Sequence, residues 1–367
     1  MVEPKHRERR FDEPSEVGGR PGGKLLAVPA RTNIDEATKR ADMSLRMMEM
    51  YSRMLQQGLG NVQPDAGETL RKFTLRMMDP EAAFRRAGEA PVPRSFRSVA
   101  EARRSLAEDA REAKITPPSV SPSETQGEVD RETARILGWF DPDYLGESIA
   151  GRAARHPPVV TAETNAFFDS DDALSSRRGP MDAYQGSGGR YRSGTNHITI
   201  REGGHRSPAL MSHELLHYLS YIGGGHEMRW RGDGGTPVMP GYISWLHEGL
   251  TELHAQQLVR EHGERPRGVG YPYETATSFY LQKLVGRDVL RQAYLSGDFT
   301  DVRRILDGRL GAGTFERLAS ARNGLDALTI ITGRMGSAGI DFTRWERDPV
   351  IASAFVGIAR QDERGGP

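Results

Sequence analysis

The chain contains no cysteine. That excludes disulfides, a thiolate metal site and a cysteine nucleophile, so a bound metal would have to be held by histidine and carboxylate. Lysine is scarce too, present only at positions 5, 24, 39, 72, 114 and 283, and the remaining cations are arginine. Such a bias is the mark of a GC-rich, bacterial genome more than of a function. Net charge is absent as well: 50 basic and 50 acidic residues cancel, which removes any whole-chain electrostatic case for nucleic acid or a membrane surface as partner. No run approaches the roughly 18 apolar residues of a membrane span. The opening MVEPKHRERRFDEPSEVGGRPGG is basic but has no apolar core, so no secretory signal is expected. These absences predict a protein that is cytoplasmic or leaves the cell by a signal-peptide-independent route.

What is present divides the chain. Residues 1–30 are rich in Pro, Gly, Arg and Glu with few large apolar groups, a composition expected to be disordered. Residues 31–124 read as a helical, low-complexity leader. Within it Ile34, Ala37, Ala41, Leu45, Met48 and Leu55 form one stripe of a helix over 34–59, and Met43, Met47, Met50 and Met54 a neighbouring one. A methionine stripe is ordinary packing surface or a docking face for secretion or delivery machinery. The Pro/Ser-rich stretch at 116–124 predicts a linker, and 125–360 a folded domain.

In that domain, 128–154 reads as a helix and 157–162 as a strand. The stretch G-S-G-G-R-Y-R-S-G at 186–194 lacks the ending of a phosphate loop and reads as a flexible connection. Asn196–Ile200 alternates as a short strand, either an ordinary sheet edge or one that pairs with an extended peptide. Between Gly225 and Pro240 a Gly/Pro-rich loop is expected. A helix from Tyr242 to Glu261 follows, then shorter ones at 273–286, 287–296, 299–310 and 313–320. Residues 360–367 are expected to fray.

The most informative stretch is S-P-A-L-M-S-H-E-L-L-H-Y-L-S-Y-I at 207–222. Ser207 can cap a helix, Pro208 suits its first position, and Gly223-Gly224-Gly225 can end it. On that helix His213 and His217, one turn apart, face the same way and can bind one metal, with Glu214 beside them as general base. A catalytic zinc needs a third protein ligand and an open position. An extended H-x-x-G-x-x-H is excluded, because Ser220 and Gly223 occupy the places it requires. Asp233, in R-G-D-G-G, and a glutamate from a second helix remain.

W-L-H-E-G-L-T-E at 245–252 resembles the W-L-x-E-G-x-x-E segment of the gluzincin group of zinc metallopeptidases. The resemblance spans roughly 195–320. It implies a zincin-like α+β fold: a small mixed sheet with an edge strand above the HExxH helix, followed by a mainly helical C-terminal subdomain. It implies Glu248 as the third zinc ligand, and Glu252 as the group that orients a zinc-bound histidine from behind. Gly249 would let two helices approach closely. Tyr273, opening a helix, matches a tyrosine that donates to the oxyanion; Tyr242, six residues before Glu248, is a second candidate for that role. The activity implied is hydrolysis of peptide bonds in a peptide or protein substrate, with Zn2+ as cofactor. A delivered effector or toxin carrying the same chemistry, and a non-catalytic binding protein on the same fold, are the alternatives. His197, His205, His226, His247, His254 and His262 receive no role.

Overall fold

The computed structural model describes residues 79–363 apart from 90–91, 94, 119–122, 171–187 and 266–267. The expectations for 1–30 and for the methionine-rich helix at 34–59 lie outside the described residues, as does part of the linker at 116–124.

Two helices lead in, α1 (Pro80–Ala87) and α2 (Val99–Ala113). Ser98 caps α2 by accepting the Glu101 amide at 3.2 Å. Ala102, Leu106 and Ala110, spaced one turn apart, are the face it buries. Leu106 and Ala110 meet Phe167 and Phe168 in a small satellite core. α1 is held by Arg231, whose guanidinium grips the Glu81 carboxylate at 2.9 and 3.0 Å and covers the Phe84 ring. Both helices, placed by sequence in the leader, thus belong to the same compact unit as the rest of the described residues.

The helix expected over 128–154 is three: α3 (Ser123–Leu137), α4 (Pro142–Leu145) and α5 (Glu147–Arg155). The cause lies in Asp141-Pro142. Asp141 turns its carboxylate onto the Tyr144 amide at 2.7 Å, and proline opens the new helix because it cannot continue the old one.

A three-stranded sheet follows: β1 (Val159–Glu163), β2 (Gly189–Arg192) and β3 (His197–Arg201), in the order β1-β3-β2. β1 and β3 are parallel, β2 and β3 antiparallel, so the sheet is mixed as expected. Its arrangement corrects the sequence in one respect. The strand at Asn196–Ile200 is central, and the edge beside the HExxH helix is β2, from the stretch expected to be a flexible connection. The glycines there serve close packing. A Cβ on Gly188 would sit 2.8 Å from Leu210 Cδ2, and one on Gly189 would sit 2.7 Å from Glu214 Cγ.

The HExxH helix is α6 (Pro208–Gly223), with Ser207 accepting the Leu210 amide at 3.4 Å and Gly224 stopping it at φ 93°. Met211, Leu215, Leu216, Leu219 and Ile222 are buried as its apolar stripe requires. Gly223 and Gly225 have no room for a side chain because the Leu295 and Tyr294 carbonyls press on them. The expected loop beyond is instead a two-stranded antiparallel ribbon, β4 (Met228–Arg231) with β5 (Pro237–Gly241). Its register shift near Met228 and its two prolines hide the alternation by which a strand is read.

The rest is helical: α7 (Ser244–Glu261), α8 (Pro272–Val285), α9 (Arg287–Ser296), α10 (Thr300–Leu310), α11 (Thr314–Ala319), α12 (Gly324–Ser337) and α13 (Pro349–Glu363). The first five fall where the sequence expects them, and α13 continues through part of the C-terminal stretch expected to fray. α8 is buried on nearly every side and forms the post around which α7, α10, α12 and α13 pack. Gly249 makes its closest approach to the α8 backbone at Glu274. The fold is α+β, with a small mixed sheet at the front and helices behind.

Candidate metal centre

The site lies where α6 crosses α7. On α6 the i, i+4 spacing turns both imidazoles toward α7, and their Nε2 atoms stand 3.0 Å apart. Glu248 answers from α7, its Oε2 3.4 Å from His213 Nε2 and 3.3 Å from His217 Nε2. These three are the one group among the described residues whose ligand atoms converge in this way.

The triangle can be tested against a metal. Four ligands at about 2.05 Å around a tetrahedral zinc are separated by about 3.3 Å, and the three edges here are 3.0, 3.3 and 3.4 Å. Glu248 Oε2 is buried without a hydrogen-bond donor, a costly state unless a cation faces it. The donor set, two nitrogens and one carboxylate oxygen, suits zinc and leaves a fourth position. The residues therefore fit the metal that the motif implies.

Each candidate ligand is held by a neighbour. His213 Nδ1 lies 2.9 Å from Glu252 Oε2; a carboxylate only accepts, so Nδ1 carries the proton and the Nε2 lone pair points at the triangle. The other oxygen of Glu252 accepts from Gln256 at 2.8 Å and from the Gly270 amide at 3.2 Å. Tyr271 then lies flat against the His213 ring, centroids 5.5 Å apart. His217 is held differently, by the parallel ring of His247 at 5.1 Å. Glu248 Oε1 accepts the Tyr242 hydroxyl at 3.1 Å.

Burial and charge set the protonation states. Without a metal, burial opposes a charged His213, yet Glu248 and Glu252 outweigh it and raise its proton affinity well above that of ordinary imidazole, so a metal taken up at Nε2 would displace a proton there. Burial likewise opposes ionised Glu248, but His217 and His213 pull it well below the usual carboxylate range. Glu252 is lowered in the same way, the contact with His213 overcoming burial. Glu214 differs: burial raises it, with no pairing strong enough to reverse the effect. A carboxylate shifted in that direction is better matched to accepting and returning a proton near neutrality. Burial, then the neighbouring His217, pushes His247 down to about 3, so it is neutral.

Of the residues named from sequence, His213, His217 and Glu248 converge, Glu252 backs His213, and Glu214 shares the same turn. Tyr242 reaches the cluster through its hydroxyl. Tyr273 is buried at the start of α8, where its carbonyl accepts the Thr277 hydroxyl at 2.9 Å. Asp233 does not converge: its carboxylate is 92% exposed and pairs with Arg303 at 2.6 Å. Sequence reasoning missed Tyr271, His247 and Gly189. The first stands two residues from the tyrosine it did name, and Gly189 was visible only as part of a glycine run.

No family model matches this chain, and neither does any curated protein or solved structure.

Proposed function

We propose that this protein is a zinc metallopeptidase with a zincin-like fold, hydrolysing peptide bonds in a peptide or protein substrate. The observation that carries the reading is the near-equilateral triangle of His213 Nε2, His217 Nε2 and Glu248 Oε2, with an orphaned carboxylate oxygen at one corner. A zinc ion there would polarise a carbonyl and make water acidic near neutral pH.

The chain's own groups account for the rest. Glu214, buried and shifted upward, accepts a proton from the attacking water and delivers it to the leaving amine. The Tyr242 hydroxyl supports the reading that it, more than Tyr273, donates to the developing oxyanion, since it already stands at Glu248.

Substrate placement follows from β2. Arg201 donates its amide to the Gly188 carbonyl at 2.8 Å, in register with the Gly189↔Ile200 pair. Antiparallel pairs alternate, so Gly188, Arg190 and Arg192 bond to β3 while the amides and carbonyls of Gly189 and Tyr191 point outward. Among the described residues no strand covers that edge. An extended peptide pairing there would run past Glu214, which touches Gly189.

The test is zinc content together with hydrolysis. Purified protein should bind close to one zinc per chain, and Glu214→Gln should keep it while losing about 100-fold or more in peptide hydrolysis. Protein that takes up no zinc on reconstitution would sink the reading. So would a Glu214→Gln variant as active as the wild type.

A further inference from the structure

We propose that Tyr221 and His226 form a subsite for an aromatic side chain on the N-terminal side of the peptide bond to be cut. The proposal rests on the zinc metallopeptidase reading above and names the class of substrate that the same site would take.

The helix supplies the position. Tyr221 stands four residues beyond His217 and seven beyond Glu214 on α6, one turn and two turns along, so it shares a face with both. His226, from the turn that ends α6, lies against it with ring centroids 4.4 Å apart. From the other side comes Tyr191 of β2, edge-on to Tyr221 at 6.0 Å. The Tyr191 hydroxyl donates to Asn196 Oδ1 at 3.2 Å, which ties the ring to the turn between β2 and β3. All three residues are only partly buried. Aromatic faces and edges gathered at one end of the candidate metal centre suit a further ring better than a small or charged side chain.

β2 sets the direction in which a peptide would run. A Cβ on Gly188 would press on Leu210 and one on Gly189 on Glu214, while Tyr191 meets Tyr218 and Tyr221. β2 and α6 therefore run the same way. A peptide joining the outer edge of β2 in the antiparallel sense, the more stable of the two, runs the opposite way and passes Tyr191 before Gly189. The outward backbone groups of those two residues give two hydrogen-bonded pairs, and residues paired across strands send their side chains to the same face. The peptide residue opposite Gly189 then lies at Glu214. The one opposite Tyr191, two positions nearer the N-terminus, turns its side chain toward α6 at Tyr221 and His226.

The experiment digests a randomised peptide library with the full, zinc-loaded chain and reads the cut positions by mass spectrometry. Phe, Tyr or Trp should be enriched about tenfold over Ala at one position N-terminal to the cut bond. With single peptides that differ only there, Tyr221→Ala and His226→Ala should each bring kcat/KM for the aromatic peptide toward that of the Ala peptide. The change should lie mainly in KM, at unchanged zinc content. Tyr221→Phe, which keeps the ring, should retain the preference. Melting temperatures report folding, and Tyr221→Leu, which fills the space without an aromatic face, takes the place of Tyr221→Ala if that variant does not fold. Glu227 stands 3.8 Å from His226 Nε2, so a preference for Lys or Arg would assign the position to that acid and overturn the proposal. Equal cleavage of both peptides by wild type, a preference confined to the C-terminal side, or one that survives loss of both rings would also overturn it, and each leaves the zinc peptidase standing. Wild-type protein that binds no zinc, or binds it and cuts no peptide, overturns both.

Discussion

Glu252 and His213 meet at 2.9 Å across the gap between α7 and α6, on the side of the imidazole turned away from Glu248. The carboxylate is buried, and its second oxygen fixes the amide of Gly270. One side chain therefore aims a proposed metal ligand and pins the loop that lays Tyr271 over it.

Replacing the carboxylate tests that coupling. Glu252→Gln keeps the size of the side chain but loses the charge that sets the His213 tautomer. Zinc affinity should fall by about 10- to 100-fold, read by chelator competition. Because the loop is tied to the same group, proteolytic nicking near residue 268 should rise with it. Unchanged affinity would mean that His213 needs no orienting partner.

Gly189 offers a test at the opposite wall. A methyl group there would sit 2.7 Å from Glu214 Cγ and 2.8 Å from its Oε1, so either β2 or the carboxylate must move. Overpacking of this kind costs about 1–3 kcal/mol, and displacing a catalytic base by about 1 Å can cost about 100-fold in rate. Gly189→Ala should lose hydrolysis on that scale with zinc affinity little changed. Equal loss of both would point to collapse of the site.

The residues that could be read from the sequence share a property. His213, His217, Glu248 and Glu252 sit on two long helices, the first bounded by Ser207-Pro208 and by glycine, where spacing decides which side chains of a helix face together. The helices from α7 to α11 were legible for the same reason. β2 was not, because G-S-G-G is the same string whether glycine provides flexibility or clearance for a neighbouring helix. β4 and β5 escaped because a register shift and two prolines break their alternation. His247 was equally illegible. Its ring lies flat against His217 because of how α6 and α7 cross, which spacing along the chain does not reveal.

Asp233 supplies a negative control. It is exposed and paired with Arg303, which also engages Glu316 and lies near Asp307. Asp233→Asn should leave zinc stoichiometry and affinity unchanged within about twofold, since it touches neither ligand nor backing group. Stability should also change little, by less than about 1 kcal/mol, because an exposed ion pair is screened by water. A large loss of zinc would return Asp233 to the list of ligands and remove Glu248 from it.

Away from the site, His197 gives the fold a dependence on pH. It is buried in the central strand, with Nε2 2.9 Å from the Thr161 hydroxyl and its ring edge-on to Phe96. Burial, helped by Arg192 and Arg103, lowers it from 6.5 to about 4. The unfolded chain takes up a proton below its ordinary value and the folded chain refuses it. The associated stability is therefore complete above about pH 6.5 and is lost as pH falls toward 4. Between about pH 7.5 and about pH 5 the loss from this group is on the order of 2 kcal/mol. His247 and His254, each also lowered to about 3, add to the same slope but are common to wild type and variant. Urea unfolding at both pH values, with chelator present so that the metal centre does not contribute, should show a smaller acid loss for His197→Asn by about that amount. Parallel pH profiles would mean that His197 accepts a proton in the folded protein as readily as in the unfolded chain.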